Sequence, residues 1–154
     1  MRTGIIIQTF TQTFATLTAF AIGLLWHLAK GSQLPPGVNP IVYLLKFNWQ
    51  GLDVQSAETM AFATLVLCEV FRAYTVRSER ESIFRIGVFS NKYMQYAVGA
   101  SILMLLLVIC VPFLQSIFNT HFPTIREWAV IISLAIIPAL SEEGTKAYLR
   151  WNNR

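Results

Sequence analysis

Tyr93-Met-Gln-Tyr-Ala-Val-Gly-Ala-Ser-Ile-Leu-Met-Leu-Leu-Leu-Val-Ile-Cys-Val-Pro-Phe-Leu114 is apolar almost from end to end. A bilayer core of about 30 Å is crossed by roughly 20 such residues in a helix, so the stretch predicts a membrane span. Three further segments are long and apolar enough for the same reading: Ile5–Ala29, Thr59–Val76 and Trp128–Leu149. The composition points the same way. Of 154 residues, 55% are hydrophobic and only 13% are charged, about half the ~25% of a soluble domain. Mean hydropathy is +0.52. That charge is too sparse to coat a water-facing surface, and the composition excludes disorder, collagen and a disulfide scaffold. The expected fold is all-α: a polytopic membrane protein whose residues 1–154 form one domain of four transmembrane helices in an up-down-up-down bundle.

The segment after Arg2 also invites a signal-peptide reading. It is too long for one, is interrupted by Gln8, Gln12 and several threonines, and lacks a clear cleavage site; a span is expected. The fourth segment is the least regular, with Pro138 inside it and Glu142 and Glu143 in its last third, which places those carboxylates at or near the headgroups. Between the spans, Gly31–Glu58 is long and rich in turn formers (Pro35, Pro36, Gly37, Pro40, Gly51). Its apolar middle, Ile41–Trp49, suits the membrane surface, and this loop is also where a small partner subunit could bind. Arg77–Lys92 is short and charged. Asn119–Glu127 is a tight polar hairpin containing Pro123. Cys68 and Cys110 lie in apolar runs without ligand spacing, so neither a zinc site nor a redox motif is expected.

The net charge of +4 reads as loop topology rather than nucleic-acid binding. With four spans, Arg2, Arg72, Arg77, Arg80, Arg85, Lys92, Lys146, Arg150 and Arg154 share one side, and Lys30, Lys46 and Arg126 share the other. The positive-inside rule places the nine in the cytoplasm and with them both termini. The expected location is the cell membrane.

Polar groups inside the spans mark the candidate sites. Ala15, Ala19 and Gly23 form a small-xxx-small face that lets another helix approach closely, and Gln8, Gln12 and Thr16 make a second stripe at i, i+4. Glu69 lies near the middle of the second span, where an ionised carboxylate is costly unless paired, hydrated or metal-bound. Arg72, three residues on, shares its helical face. Two readings stay open: a structural Glu69–Arg72 ion pair, or a Glu69 that faces an ion path as cation ligand or proton carrier. A hard cation such as calcium takes six to eight oxygens, so other helices would have to complete the shell. Glu142, Glu143 and Lys146 read as a structural cluster, with Glu142 and Lys146 in the favoured i, i+4 order.

The stretch Thr59-Met-Ala-Phe-Ala-Thr-Leu-Val-Leu-Cys-Glu-Val-Phe-Arg-Ala-Tyr74, followed by Arg77-Ser-Glu-Arg-Glu-Ser-Ile-Phe-Arg-Ile-Gly-Val-Phe-Ser-Asn-Lys92, resembles the C-terminal membrane region of P-type cation pumps, in particular their calcium-pump branch. Val108-Ile-Cys-Val-Pro-Phe-Leu-Gln115 is similar to the outer end of that family's ninth helix. Arg126-Glu-Trp128 resembles the entry to the tenth, and Glu142-Glu-Gly-Thr-Lys146 the acidic–lysine signature that closes it. The resemblance implies that the four spans are helices seven to ten of an ATP-driven cation transporter, packed against the pump's remaining helices and cytoplasmic domains. It also implies that Glu69 matches a helix-eight glutamate of one calcium site. Arg72 departs from that pattern, standing where those pumps have a small neutral polar residue, and its guanidinium would compete for the carboxylate.

The chain holds no Asp-Lys-Thr-Gly-Thr phosphorylation motif, no glycine-rich phosphate loop and no Pro-Glu-Gly-Leu break. It is therefore expected to bind no cofactor and to hydrolyse no ATP by itself. A parent pump would use ATP and Mg and move Ca or a similar cation. The alternative reading is a stand-alone four-helix membrane subunit with a structural or regulatory role.

Overall fold

The computed structural model describes residues 2–30, 42, 54–76 and 91–152. Within them the chain forms five helices: α1 (Arg2–Lys30), α2 (Gln55–Thr75), α3 (Lys92–Cys110), α4 (Pro112–Phe118) and α5 (Ile125–Asn152). Most of the Gly31–Glu58 loop and nearly all of the Arg77–Lys92 linker lie outside the described residues, and so does the partner-subunit site expected on that loop.

Three helices form the centre. α1, α2 and α5 pack pairwise, while α3 lies mainly along α2 with a smaller contact. Their directions follow from which residues meet. Gly23 sits on Ala57 and Gln12 on Glu69, so α1 and α2 are antiparallel. Ser56 meets Glu127 and Thr75 meets Glu142, so α2 and α5 run parallel. Tyr74 donates to Gln95 Oε1 at 2.9 Å while Gln55 reaches Thr120, so α3 runs back along α2. The four long helices therefore alternate in direction.

The small-residue face makes the α1–α2 contact. Ala15 and Ala19 are fully buried, and a Cβ built on Gly23 would stand 2.7 Å from Ala57 Cα. Backbones this close leave no room for a side chain. The apolar core, Met60, Ala63, Leu105, Ile109 and Ile131 with Trp26 and Trp128 packed on it, lies toward the end at which α2 and α5 begin. The opposite half holds Gln8, Thr75 and Lys146 among its buried side chains.

One expectation needs correcting. The run Tyr93–Leu114 is not one helix: α3 stops at Cys110 and Val111 is extended, at φ −86° and ψ 117°. Pro112 is the cause. It has no N–H to give the Val108 carbonyl, and its ring drives the preceding residue out of the helical region. It then starts α4 at the position where a missing N–H costs nothing. The chain caps the wound itself: Thr120 Oγ1 donates to Val108 O at 2.9 Å, and Gln115 Nε2 donates to Ile109 O. Pro138, by contrast, is accommodated within α5.

Composition marks the expected spans unevenly. Among the described helices, only α3 is both long and apolar enough to cross a bilayer by composition, with a mean hydropathy of 2.0. α1, α2 and α5, of 29, 21 and 28 residues, exceed the ~20 needed. Their polar residues, Gln8, Gln12, Glu69, Arg72, Glu142, Glu143 and Lys146 among them, dilute the signal.

Candidate functional site

The sequence singled out Glu69 and Arg72, and the helix spacing brings them together. Arg72 Nη1 lies 3.6 Å from Glu69 Oε1. The same oxygen accepts a 2.6 Å hydrogen bond from Gln12 Nε2 of α1. Gln12 as the carboxylate's second partner was out of reach of spacing arguments, because it depends on the register between α1 and α2. The pair does not lie in the core: the side chains are 52% exposed for Glu69 and 40% for Arg72. An ion pair this open contributes less than about 1 kcal/mol in water. Beside it runs an open cavity of about 350 Å³, lined by Thr9, Gln12, Thr13, Thr16, Leu17, Leu65 and Arg72. Most helical hydroxyls here fold back onto their own helix, as Thr11, Thr18, Thr59 and Thr145 do. Thr16 Oγ1, on the cavity wall, is buried without a hydrogen-bond partner.

A second cluster closes the end at which α2 and α5 begin. Thr124 and Glu127 form a capping box on α5: the Glu127 carboxylate accepts from the Thr124 N–H at 2.6 Å, and the Thr124 hydroxyl accepts from the Glu127 N–H at 3.5 Å. Ser56 Oγ donates to the other carboxylate oxygen at 2.8 Å, and His121 Nε2 stands 3.5 Å away. Burial pushes the Glu127 carboxyl up. The hydrogen bonds from the Thr124 backbone, Ser56 and the Thr124 hydroxyl, with His121 beside it, outweigh that and hold it below its ordinary value. The box is legible as Thr-x-x-Glu inside the segment whose sequence reads as a polar hairpin.

The third cluster binds the other ends of α2 and α5. Lys146, 4% exposed, ion-pairs with Glu143 at 2.9 Å and donates to the Thr75 carbonyl at 2.5 Å. Glu142 accepts from the Thr75 hydroxyl at 2.5 Å. The i, i+4 pair expected between Glu142 and Lys146 is thus displaced by an i, i+3 pair with Glu143. Glu142 turns instead to the neighbouring helix, where Thr75 offers a hydroxyl. Among the described residues, no three His, Cys, Asp or Glu side chains converge as a metal site would need.

The family model for the C-terminus of cation transporting ATPases matches residues 1–148. The chain belongs to that family. This ATPase C-terminal region is similar to calcium-transporting ATPase 1 of Bacillus cereus, 38% identical over 86% of this chain and 15% of the relative. It is similar also to the calcium-transporting ATPase of Bacillus subtilis, 33% identical over 82% of this chain and 14% of the relative. A calcium-transporting ATPase type 2C member 1, from Mus musculus, is 41% identical over 49% of this chain and 8% of its own length. The chain thus spans about 15% of the length of the first of these relatives. All three clusters lie within the matched residues.

Proposed function

We propose that this chain serves as the C-terminal membrane domain of an ATP-driven calcium pump, with α1, α2, α3 and α5 as four spans and both termini in the cytoplasm. ATP and Mg would be handled by other parts of such a pump. The observation that carries the reading is the Gln12–Glu69–Arg72 set: a carboxylate held by an amide and a guanidinium on a half-exposed edge of a membrane-family domain. Within a pump this edge borders the ion path, with Glu69 as a ligand or proton carrier whose charge Arg72 offsets. Two unit charges about 4 Å apart attract by roughly 4 kcal/mol at an effective dielectric of 20, which suffices to keep them together once other helices exclude water. The Lys and Arg distribution, nine against three, supports the orientation.

The test uses a pump carrying this domain, reconstituted in vesicles, with calcium-dependent ATP hydrolysis and calcium uptake measured together. Arg72→Ala is expected to shift the pH dependence of transport or raise the Hill coefficient for calcium above one. Glu69→Gln is expected to weaken apparent calcium affinity. Wild-type affinity, stoichiometry and pH profile in both variants would remove Glu69 from the ion path.

A further inference from the structure

α4 and the turn behind it expose a run of apolar side chains: Phe113 at 73%, Ile117 at 61%, Phe118 at 53%, then Phe122 and Ile125. A contiguous apolar surface of this kind has a partner, and two independent features identify it. The first is charge. From Tyr93 to Ile125 the chain has no Asp, Glu, Lys or Arg, so the uncharged zone continues well past α3. α3 alone, at 19 residues, is about 29 Å long and fills a bilayer core. The uncharged residues beyond it have no core left to cross, and they suit the boundary layer. His121, the one imidazole among them, turns inward to Thr59 and Glu127.

The second feature is the way the break at Pro112 is sealed. The Val108 and Ile109 carbonyls left over at the end of α3 are taken by Thr120 and Gln115, and the Thr120 N–H returns to Gln115 O at 3.0 Å. With these groups met inside the chain, the break tolerates surroundings that offer no water. In lipid the chain must supply the partners itself.

We propose that α4 and residues 119–125 form a foot immersed in the outer boundary of the bilayer, with Phe113, Ile117 and Phe118 seated among lipid acyl chains near the headgroups. Lipid, rather than another protein surface, is the occupant of this face. The proposal rests on the reading of α3 as a span. Its test separates the two. Spin labels are placed singly at Phe118→Cys, Ile117→Cys, Leu103→Cys and Arg126→Cys in a whole pump carrying this domain, with its other cysteines, Cys68 and Cys110 included, replaced by alanine, in phosphatidylcholine nanodiscs. Collision with oxygen is compared with collision with a water-soluble nickel chelate. Labels at 117 and 118 are expected to favour oxygen several-fold over the Arg126 label, at a shallower depth than Leu103. If Leu103 reads as lipid-exposed but 117 and 118 match Arg126, the foot is wrong and the span stands. Shielding of both positions from both agents would show a protein cover and overturn the lipid assignment. If Leu103 itself reads as water-exposed, the span fails and the foot with it.

Discussion

Glu127 shows how a buried carboxylate is kept charged. Its Oε2 is held by two donors from Thr124 and its Oε1 by Ser56, so the ionised form is favoured over the protonated one. Because the folded value is depressed, its contribution to stability is complete above the ordinary carboxylate value of about 4.3. It is lost as pH falls below that and through the folded value. Thermal unfolding in detergent across this acid range should show the loss, and Glu127→Gln should flatten it. Thr124→Ala removes the cap at every pH and should cost about 1 kcal/mol. Glu69 is the opposite case. Its oxygen is shared by Gln12 and Arg72 on an open edge, so Arg72→Ala should change the unfolding temperature of the isolated chain little. Its effect is expected in transport.

At the scale of the helix, two close contacts set the geometry. Gly23→Ala would place a Cβ 2.7 Å from Ala57 Cα. Backbone on both sides resists the shift, so a loss of about 1–3 kcal/mol is expected, read as a lowered midpoint in denaturant. Thr120→Val leaves the Val108 carbonyl unpaired and should cost about 1–3 kcal/mol, with the loosening visible as faster amide exchange at the α3–α4 junction. The sequence made the helices legible, and the small-residue face too, because both rest on local spacing. It also contained Pro112, whose consequence was lost in an apolar run long enough to pass for a single span. Gln12 as a partner of Glu69, and Glu143 rather than Glu142 as the partner of Lys146, depend on how helices meet and which way side chains turn. No spacing rule contains that information.

For the molecule as a whole, the alternation of helix directions and the charge distribution make one topological claim. A cysteine placed at Lys46 should react with a membrane-impermeant reagent only from the outer side, and reaction solely from the cytoplasm would overturn the orientation. Glu142→Gln should lower stability in detergent more than apparent ion affinity, since its contact is with Thr75; the reverse ranking would place it in transport. The same corner has a mechanical meaning. α2 and α5 run parallel, so the chain leaves α2 beside the last turns of α5, and Lys146 grips the Thr75 carbonyl there. A pull on the segment that follows Val76 would therefore be shared with α5 through Lys146. Displacement imposed at this corner would travel along two helices at once, and the pair would tilt as a single lever.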